Sequence, residues 1–289
     1  MADWENLRYF LALGRAGTLS GAARALKVDH ATVSRRIAAL EIELQMPLVE
    51  RLPRACRLTA AGLRVFEQVK SMEGAAFAID RESHAQQTMQ HGRVKISASP
   101  VLTSHFLAPR MAAFRALHPN IQLSVMSQAR QVSLNRGEAD IALRQARPTE
   151  ASNVARRIGR MPFALYASRD YVALATPEHW RFIVYDEQFA DMPQQHWLLG
   201  VANGRPVACE LSDISSHLIA AYTGAGVAGL PCFLGDAHGG LVKLESGGSA
   251  FSRDIWLVTH RDLKRSSLVR AVMNYLAEAV ADTPGLALQ

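Results

Sequence analysis

The sequence is poor in cysteine: Cys56, Cys209 and Cys232 are widely separated and odd in number. With no CxxC or Cys/His ligand spacing, they support neither a disulfide framework nor a structural zinc site. Long apolar runs are missing as well. No stretch reaches the roughly 20 apolar residues that a membrane-spanning helix needs. The first residues, MADWENLRYFLALGRAG, begin acidic and lack the basic start and small-residue cleavage site of a secretory signal. A cytoplasmic location without a membrane partner is therefore expected. Catalytic signatures are also wanting: there is no GxSxG elbow, no HExxH and no P-loop. The ten histidines are scattered. Neither enzyme activity nor a cofactor is expected.

What is there is an ordinary globular balance. Hydrophobic residues make up 49% and charged residues 20% of 289 positions, which suits two or three domains. The net charge is +6. Residues 1–58 hold nine Lys or Arg against six Asp or Glu, so half of the excess sits in a fifth of the chain. An anionic partner is favoured there.

That basic segment carries a specific pattern. Residues 20–41, SGAARALKVDHATVSRRIAALE, contain two alanine-rich helical pieces separated by Lys27-Val28-Asp29-His30. Upstream, Trp4, Leu7, Phe10, Leu11 and Leu13 fall at helical spacing. Thr18 or Ser20 can cap the second helix, which ends near Leu26. A third helix runs from about His30 to Leu44 and stops before Pro47. The following PLVERLPRACRLT reads as two short extended pieces around a Pro/Arg turn, a small β-wing. The break turns the later helix against the earlier one, which is the helix-turn-helix arrangement. In it the second helix enters the major groove of double-stranded DNA.

In this reading Ala22, Ala23, Leu26, Val28, Val33, Ile37 and Leu40 face a small core. His30, Thr32, Ser34, Arg35 and Arg36 face outward. Arginine suits a bidentate pairing with guanine, while histidine and hydroxyls suit single base or phosphate contacts. The wing arginines Arg51, Arg54 and Arg57 lie where phosphates or the minor groove would be. The expected DNA-binding residues are Ser20, His30, Thr32, Ser34, Arg35, Arg36, Arg51 and Arg54. The competing reading makes Arg35 and Arg36 solvated helix charges paired with Glu41 or Glu43.

Thr59 opens a long helical stretch, with Leu63, Phe66, Val69, Ala76 and Phe77 returning to one side. Such a stripe fits pairing with a second copy. The alternative is a connecting helix packed on its own chain. After His91-Gly92 the pattern changes to strands alternating with helices: RVKISAS, IQLSVMS, ADIALR, FALYAS, FIVY, WLLGV, VAGL, LVKL and FSRDIWLVTH read as strands. LAPRMAAFRALHP, QVSLNRGE, SDISSHLIAAYTG and SSLVRAVMNYLAEAVA read as helices. This order implies βαβ units and a mostly parallel sheet.

The stretch LRYFLALGRAGTLSGAARALKVDHATVSRRIAALEIELQMPLVERLPRACRLTAAG resembles the winged helix-turn-helix of LysR-type transcriptional regulators. LRYF, AARAL, VSRRI, the LE–LxxPL run and RLTAAG all carry the likeness, and the two-domain plan behind them fits the whole chain. The resemblance implies an α plus α/β fold in three parts. Residues 1–58 would form the DNA-binding domain and residues 59–90 a linker and dimerisation helix. Residues 91–289 would form a two-subdomain effector-binding domain like a type 2 periplasmic binding protein. Its first subdomain would comprise 91–161 and 266–289, and its second 162–265. It further implies a homodimer or homotetramer, interrupted inverted repeats near promoters as targets, and RNA polymerase as a partner. The chain departs from the family at one place. The family often opens its recognition helix with Ser-Gln-Pro, whereas Asp29-His30-Ala31 stands here. His30 thus takes the position where the family often has a base-reading glutamine, which allows a pH-sensitive contact.

Ligands of open α/β folds bind beyond the carboxyl ends of strands. That rule nominates Ser99, Thr103 and Ser104 after the first strand, Gln128 after the second and Arg144 after the third. It also nominates Asn203 after WLLGV, and Thr223, Gly224 and Val227 in the Thr223–Val227 loop. The hydroxyls and an arginine fork fit a small-molecule effector, a small organic anion being one such class. Arg144 could equally serve the surface or an internal salt bridge. GAGVAG at 224–229 matches GxGxxG, but a helix precedes it and a strand with proline follows. That inverts the dinucleotide-binding order, so a helix end and tight turn at the cleft rim are expected. Two other readings remain: a solute-binding protein with a fused amino-terminal domain, and an enzyme that controls its own expression.

Overall fold

The computed structural model describes residues 2–53, 55–86, 92–128, 132–245 and 250–288. The chain divides into two compact units, Met1–Asp80 and Arg81–Gln289.

The first unit contains α1 (Trp4–Ala16), α2 (Leu19–Leu26), α3 (His30–Leu44), β1 (Val49–Leu52), β2 (Ala55–Leu58) and most of α4 (Ala60–Gln86). Each boundary has a local cause. Asp3 caps α1 by accepting from the Glu5 N–H, and Gly17 ends it at φ +65°. Thr18 caps α2 through the Gly21 N–H at 3.0 Å, leaving Ser20 exposed. Lys27 ends α2 in the left-handed region at φ +57°. Two residues later the extended Asp29 starts α3. This left-handed residue followed by a capping aspartate makes the predicted break. Phe10, Ala22, Val33, Ile37, Leu40 and Leu48 are fully buried between the helices.

The wing is a two-stranded antiparallel hairpin, Val49 opposite Leu58 and Leu52 opposite Ala55. Glu41 fixes its entry: one carboxylate oxygen accepts the N–H groups of Leu48 at 2.7 Å and Val49 at 3.0 Å. Thr59 fixes its exit, donating to the Pro47 carbonyl and accepting from the Gly62 N–H.

The stripe expected on the long helix is divided between two faces. Phe66 meets Phe10 edge to face at 6.5 Å, Val69 is buried in the same core, and Arg15 forms an ion pair with Glu73. The large apolar side chains left outside, among the described residues, are Leu63, Met72 and Ile79, and Ala76 of the expected stripe is exposed with them.

The second unit contains β3 (Gly92–Ala98), α5 (Pro100–Leu102), α6 (Met111–Leu117), β4 (Ile121–Ser127), β5 (Ile141–Arg144) and β6 (Asn153–Ser168). It continues with α7 (Arg169–Leu174), β7 (Phe182–Val184), α8 (Pro193–Ala202), β8 (Val207–Glu210), α9 (Ile214–Tyr222) and β9 (Val227–Pro231). It ends with α10 (Cys232–Gly235), β10 (Leu241–Leu244), β11 (Phe251–His260) and α11 (Ser267–Ala281). One nine-stranded sheet runs in the order β4-β3-β5-β11-β6-β9-β7-β8, with β10 also on β6. Its two ends are parallel: β3 pairs with β4 and β5, and β7 pairs with β8 and β9. The long strands β6 and β11 pair antiparallel and join the two ends.

Three local expectations are corrected. WLLGV is part of helix α8, because Pro193 starts that helix and Asn203, left-handed at φ +47°, ends it. QVSLNRGE forms a turn closed by the Gly137 N–H on the Leu134 carbonyl, with Gly137 at φ +64°; Gln131 lies outside the described residues. The helix expected from Leu107 is α only from Met111, behind a π-helical turn and a 3-10 turn. Pro109 has no N–H to continue an α-helical ladder there.

Candidate nucleic-acid interface and cleft

The first candidate site is the outward side of α3 with the wing. Asp29 is tied to Thr32 twice, accepting the backbone N–H at 2.7 Å and the hydroxyl at 2.8 Å. The backbone bond and then the hydroxyl hold the Asp29 carboxyl below its ordinary value, so a negative charge sits at the positive end of α3. The Thr32 hydroxyl in turn accepts from Arg35 at 3.1 Å. His30 and Arg35 are exposed, and Ser34 and Thr32 are half-buried. Arg51 and Arg57 are exposed on the wing; Arg54 lies outside the described residues.

Arg36 departs from the outward set. Its guanidinium donates to Asn6 at 3.3 Å, lies 3.7 Å from Asp3 and sits over the Tyr9 ring at 5.7 Å. It fastens α3 to α1. Glu41 and Glu43, the partners offered by the competing reading, are otherwise engaged: Glu41 on the wing, Glu43 on the Asp3 N–H at 3.2 Å. The Arg-Arg pair in the sequence therefore splits into one exposed and one anchored side chain.

The second candidate site is a pocket of about 340 Å³ in the second unit. It unites three nominated residues, Ser99, Gln128 and Arg144. Ser99 precedes α5 and accepts from the Gln145 side-chain amide at 3.3 Å. Arg144, at the end of β5, donates to Ser97 at 3.2 Å and to the Val132 carbonyl at 3.4 Å. The Gln128 side-chain carbonyl is buried with no partner among the described residues.

Six nominated residues do not line this pocket. Asn203 caps α8 instead of following a strand. The Thr223 hydroxyl donates to Ile219 and Ala220 carbonyls at the end of α9. Gly224, at φ +84°, makes the turn out of that helix, and Val227 is fully buried in β9. GAGVAG is thus a helix end entering a strand, as its order suggested. Ser104 is exposed, and the Thr103 hydroxyl is buried without a partner among the described residues.

The opposite wall comes from residues that sequence reasoning missed: Gln188, Asp191 and Gln194 around the start of α8, and Arg253 on β11. Arg253 donates to the Gln145 carbonyl at 3.2 and 3.1 Å and to the Gln194 side-chain carbonyl at 3.2 Å. Burial lowers the pKa of Arg144, with Glu150 opposing, and burial alone lowers that of Arg253. Among the described residues neither arginine has a carboxylate in ion-pair contact. Elsewhere in the second unit, His105 and Ser215 meet at 2.9 Å.

Comparison with known proteins gives the family of each part of the chain. Residues 4–63 match the model of the bacterial regulatory helix-turn-helix protein, lysR family. Residues 87–281 match that of the LysR substrate binding domain. The Mau operon transcriptional activator of Paracoccus denitrificans is 27% identical over 281 residues, covering 97% of this chain and 98% of that protein. The AhcY transcriptional activator HvrB of Rhodobacter capsulatus is 33% identical over 148 residues, 49% of this chain and 50% of that one. Two solved structures share the fold. CrgA, a LysR-type regulator from Neisseria meningitidis, superposes with TM-score 0.57 at 24% identity, covering 96% of this chain and 99% of that one. The full-length virulence activator AphB of Vibrio cholerae does so with TM-score 0.57 at 22% identity, again covering 96% and 99% of the two chains. The chain belongs to the LysR family of DNA-binding transcriptional regulators.

Proposed function

We propose that this regulator reads interrupted inverted repeats near promoters with the exposed side of α3, and that a small organic anion in the 340 Å³ pocket modulates it. The observation that carries the first part is the split at the arginine pair. Arg36 is engaged with α1 and α3 is seated in the core through Val33, Ile37 and Leu40, while Arg35 and His30 project from its first turns. Base contacts from the first turns of a recognition helix need that rigidity and that exposure. The wing arginines Arg51 and Arg57 supply the phosphate contacts that set register.

The effector acts by population shift. Its pocket draws on both parallel ends of the sheet, so a ligand that binds one arrangement of them better shifts the equilibrium toward it. The response reaches paired DNA-binding domains in a homodimer or homotetramer, and through DNA geometry reaches RNA polymerase. The test is DNase protection of the DNA upstream of the protein's own gene, with wild type beside Arg35→Ala. Protection of an interrupted inverted repeat that weakens in the variant is the expected result. Equal protection by both proteins removes α3 as the reading element.

A further inference from the structure

We propose that the pocket takes a short dicarboxylate that carries one hydrogen-bond donor, its two carboxylates held by Arg144 and Arg253. The inference rests on the reading of that pocket as the effector site and names what enters it.

The charge balance points first to a dianion. Arg144 is rooted on neutral acceptors, Ser97 and the Val132 carbonyl. Among the described residues Arg253 likewise meets only the Gln145 carbonyl and the Gln194 side chain. Two partly buried guanidiniums hydrogen-bonded to neutral partners are unfavourable, because Glu150 offsets the desolvation of Arg144 only from beyond ion-pair contact and burial alone acts on Arg253. They persist where a ligand brings that charge. The single acid on the pocket wall, Asp191, is exposed and makes no ion pair with either arginine among the described residues. A neutral ligand brings a carboxylate to neither guanidinium and a monoanion brings one to a single guanidinium.

Size and polarity narrow the class further. At about 340 Å³ the pocket lies at the small end of ligand sites. The buried Gln128 carbonyl oxygen lacks a donor among the described residues, and a buried acceptor left unmet is destabilising. A hydroxyl or ammonium on the ligand backbone satisfies it. Arg253 also explains how such a ligand would be felt. It already links Gln145, next to Arg144, to Gln194 at the start of α8. A carboxylate that engages Arg253 therefore acts on the contact joining the two walls.

The experiment is calorimetric titration of the full-length protein with malate, aspartate, succinate, lactate and propionate. Malate or aspartate should bind, succinate should bind more weakly, and the two monocarboxylates should be weaker than either by at least about tenfold. Arg144→Gln and Arg253→Gln should each lower diacid affinity by about 10- to 100-fold, the range for a lost charge-assisted bond, and erase the preference over monoacids. If either variant does not fold, the ranking on wild type decides alone. Monocarboxylates binding as tightly as diacids, or no diacid binding at millimolar concentration, overturns the proposal. DNase protection with and without malate separates the two readings. A diacid that binds without altering protection leaves the clamp and removes the effector role. Protection that answers to monocarboxylates alone keeps the effector role and removes the clamp.

Discussion

Gly62 lies so close to Leu48 that a Cβ on residue 62 would stand 2.1 Å from the Leu48 carbonyl oxygen. That oxygen also accepts the Thr59 N–H at 3.0 Å. The start of α4 is thereby pressed against the strand entry of the wing, and a side chain at 62 must push backbone away. Gly62→Ala should destabilise the amino-terminal unit by about 1–3 kcal/mol, the usual cost of overpacking. It should also weaken DNA binding, because the wing moves. Gly74→Ala in the same helix is the control. Nothing lies within 4 Å of its Cβ position, so the alanine should stabilise the helix by about 0.5–1 kcal/mol. Urea unfolding of the full-length variants, followed by circular dichroism, measures both.

Arg35 and Arg36 are adjacent, and their alanine variants should fail differently. Arg35→Ala removes an exposed guanidinium from the reading side of α3. It should cost about 1–3 kcal/mol of specific affinity if it pairs with a base, with a change in base preference at one position. Arg36→Ala removes the contacts to Asn6, Asp3 and Tyr9. The Arg36 side chain is 43% exposed, so its ion pair is worth little, about 0–1 kcal/mol. Its variant should show a small stability loss and an unchanged base preference. Binding-site selection with both variants, together with thermal unfolding, distinguishes them. Equal shifts in preference would place Arg36 on the DNA in spite of its contacts to α1.

Legibility follows the strength of local chemistry. The winged helix-turn-helix is readable because Asp29, Thr18 and Pro47 act on their immediate neighbours, and the periodicity of α1 and α3 agrees with those signals. Arg36 misleads because only tertiary packing brings Asn6 and Asp3, some thirty residues away in the sequence, to its guanidinium. WLLGV misleads because five apolar residues fit a buried strand or a buried helix equally; the flanking Pro193 and Asn203 decide it. The first half of β6 escapes notice because its arginines and Gly159 hide the alternation, although the strand pairs with β11 from Asn153 to Phe163. The cleft is half legible. Ser99 and Gln128 follow strands and Arg144 ends one, as the topological rule requires. Arg253 lies within a crossing strand and Gln194 in a helix, so no strand-end rule finds them.

The outer face of α4 offers a third test. Met72 and Ile79, one heptad apart, are exposed, Ile79 to 73%, while Val69 is buried in the unit's own core. If the exposed face pairs with a second copy, Ile79→Asp should weaken self-association at least about tenfold and leave unfolding of each chain nearly unchanged. Val69→Asp should do the reverse, destabilising the amino-terminal unit by burying a charge. Sedimentation velocity across a concentration series reads the first effect. An Ile79→Asp protein with wild-type association would assign the pairing to another surface.

His217 supplies a pH dependence whose sign follows from its burial. Its ring is fully buried, tilted by 38° against Tyr185 at a centroid distance of 4.3 Å. Nε2–H donates to the Leu211 carbonyl at 3.0 Å, and Nδ1 has no partner among the described residues. Burial holds its pKa below the ordinary 6.5, with the Leu211 carbonyl and Asp213 opposing. The folded protein therefore keeps the ring neutral where the unfolded chain already takes up a proton. Above the unfolded value the two states bind equally and the residue is silent. As pH falls below about 6.5 the unfolded state gains protons first, and stability drops until the folded pKa is reached, with a slope of up to about 1.4 kcal/mol per pH unit. His217→Gln keeps a donor for the Leu211 carbonyl and removes the titration. Its urea midpoint should change less than that of wild type between about pH 7.5 and pH 5.5, the window that brackets the ordinary histidine value. His105, also held low by burial, contributes the same sign in both proteins, so the difference between them isolates His217. Parallel curves for the two proteins would mean that the buried ring accepts its proton without cost.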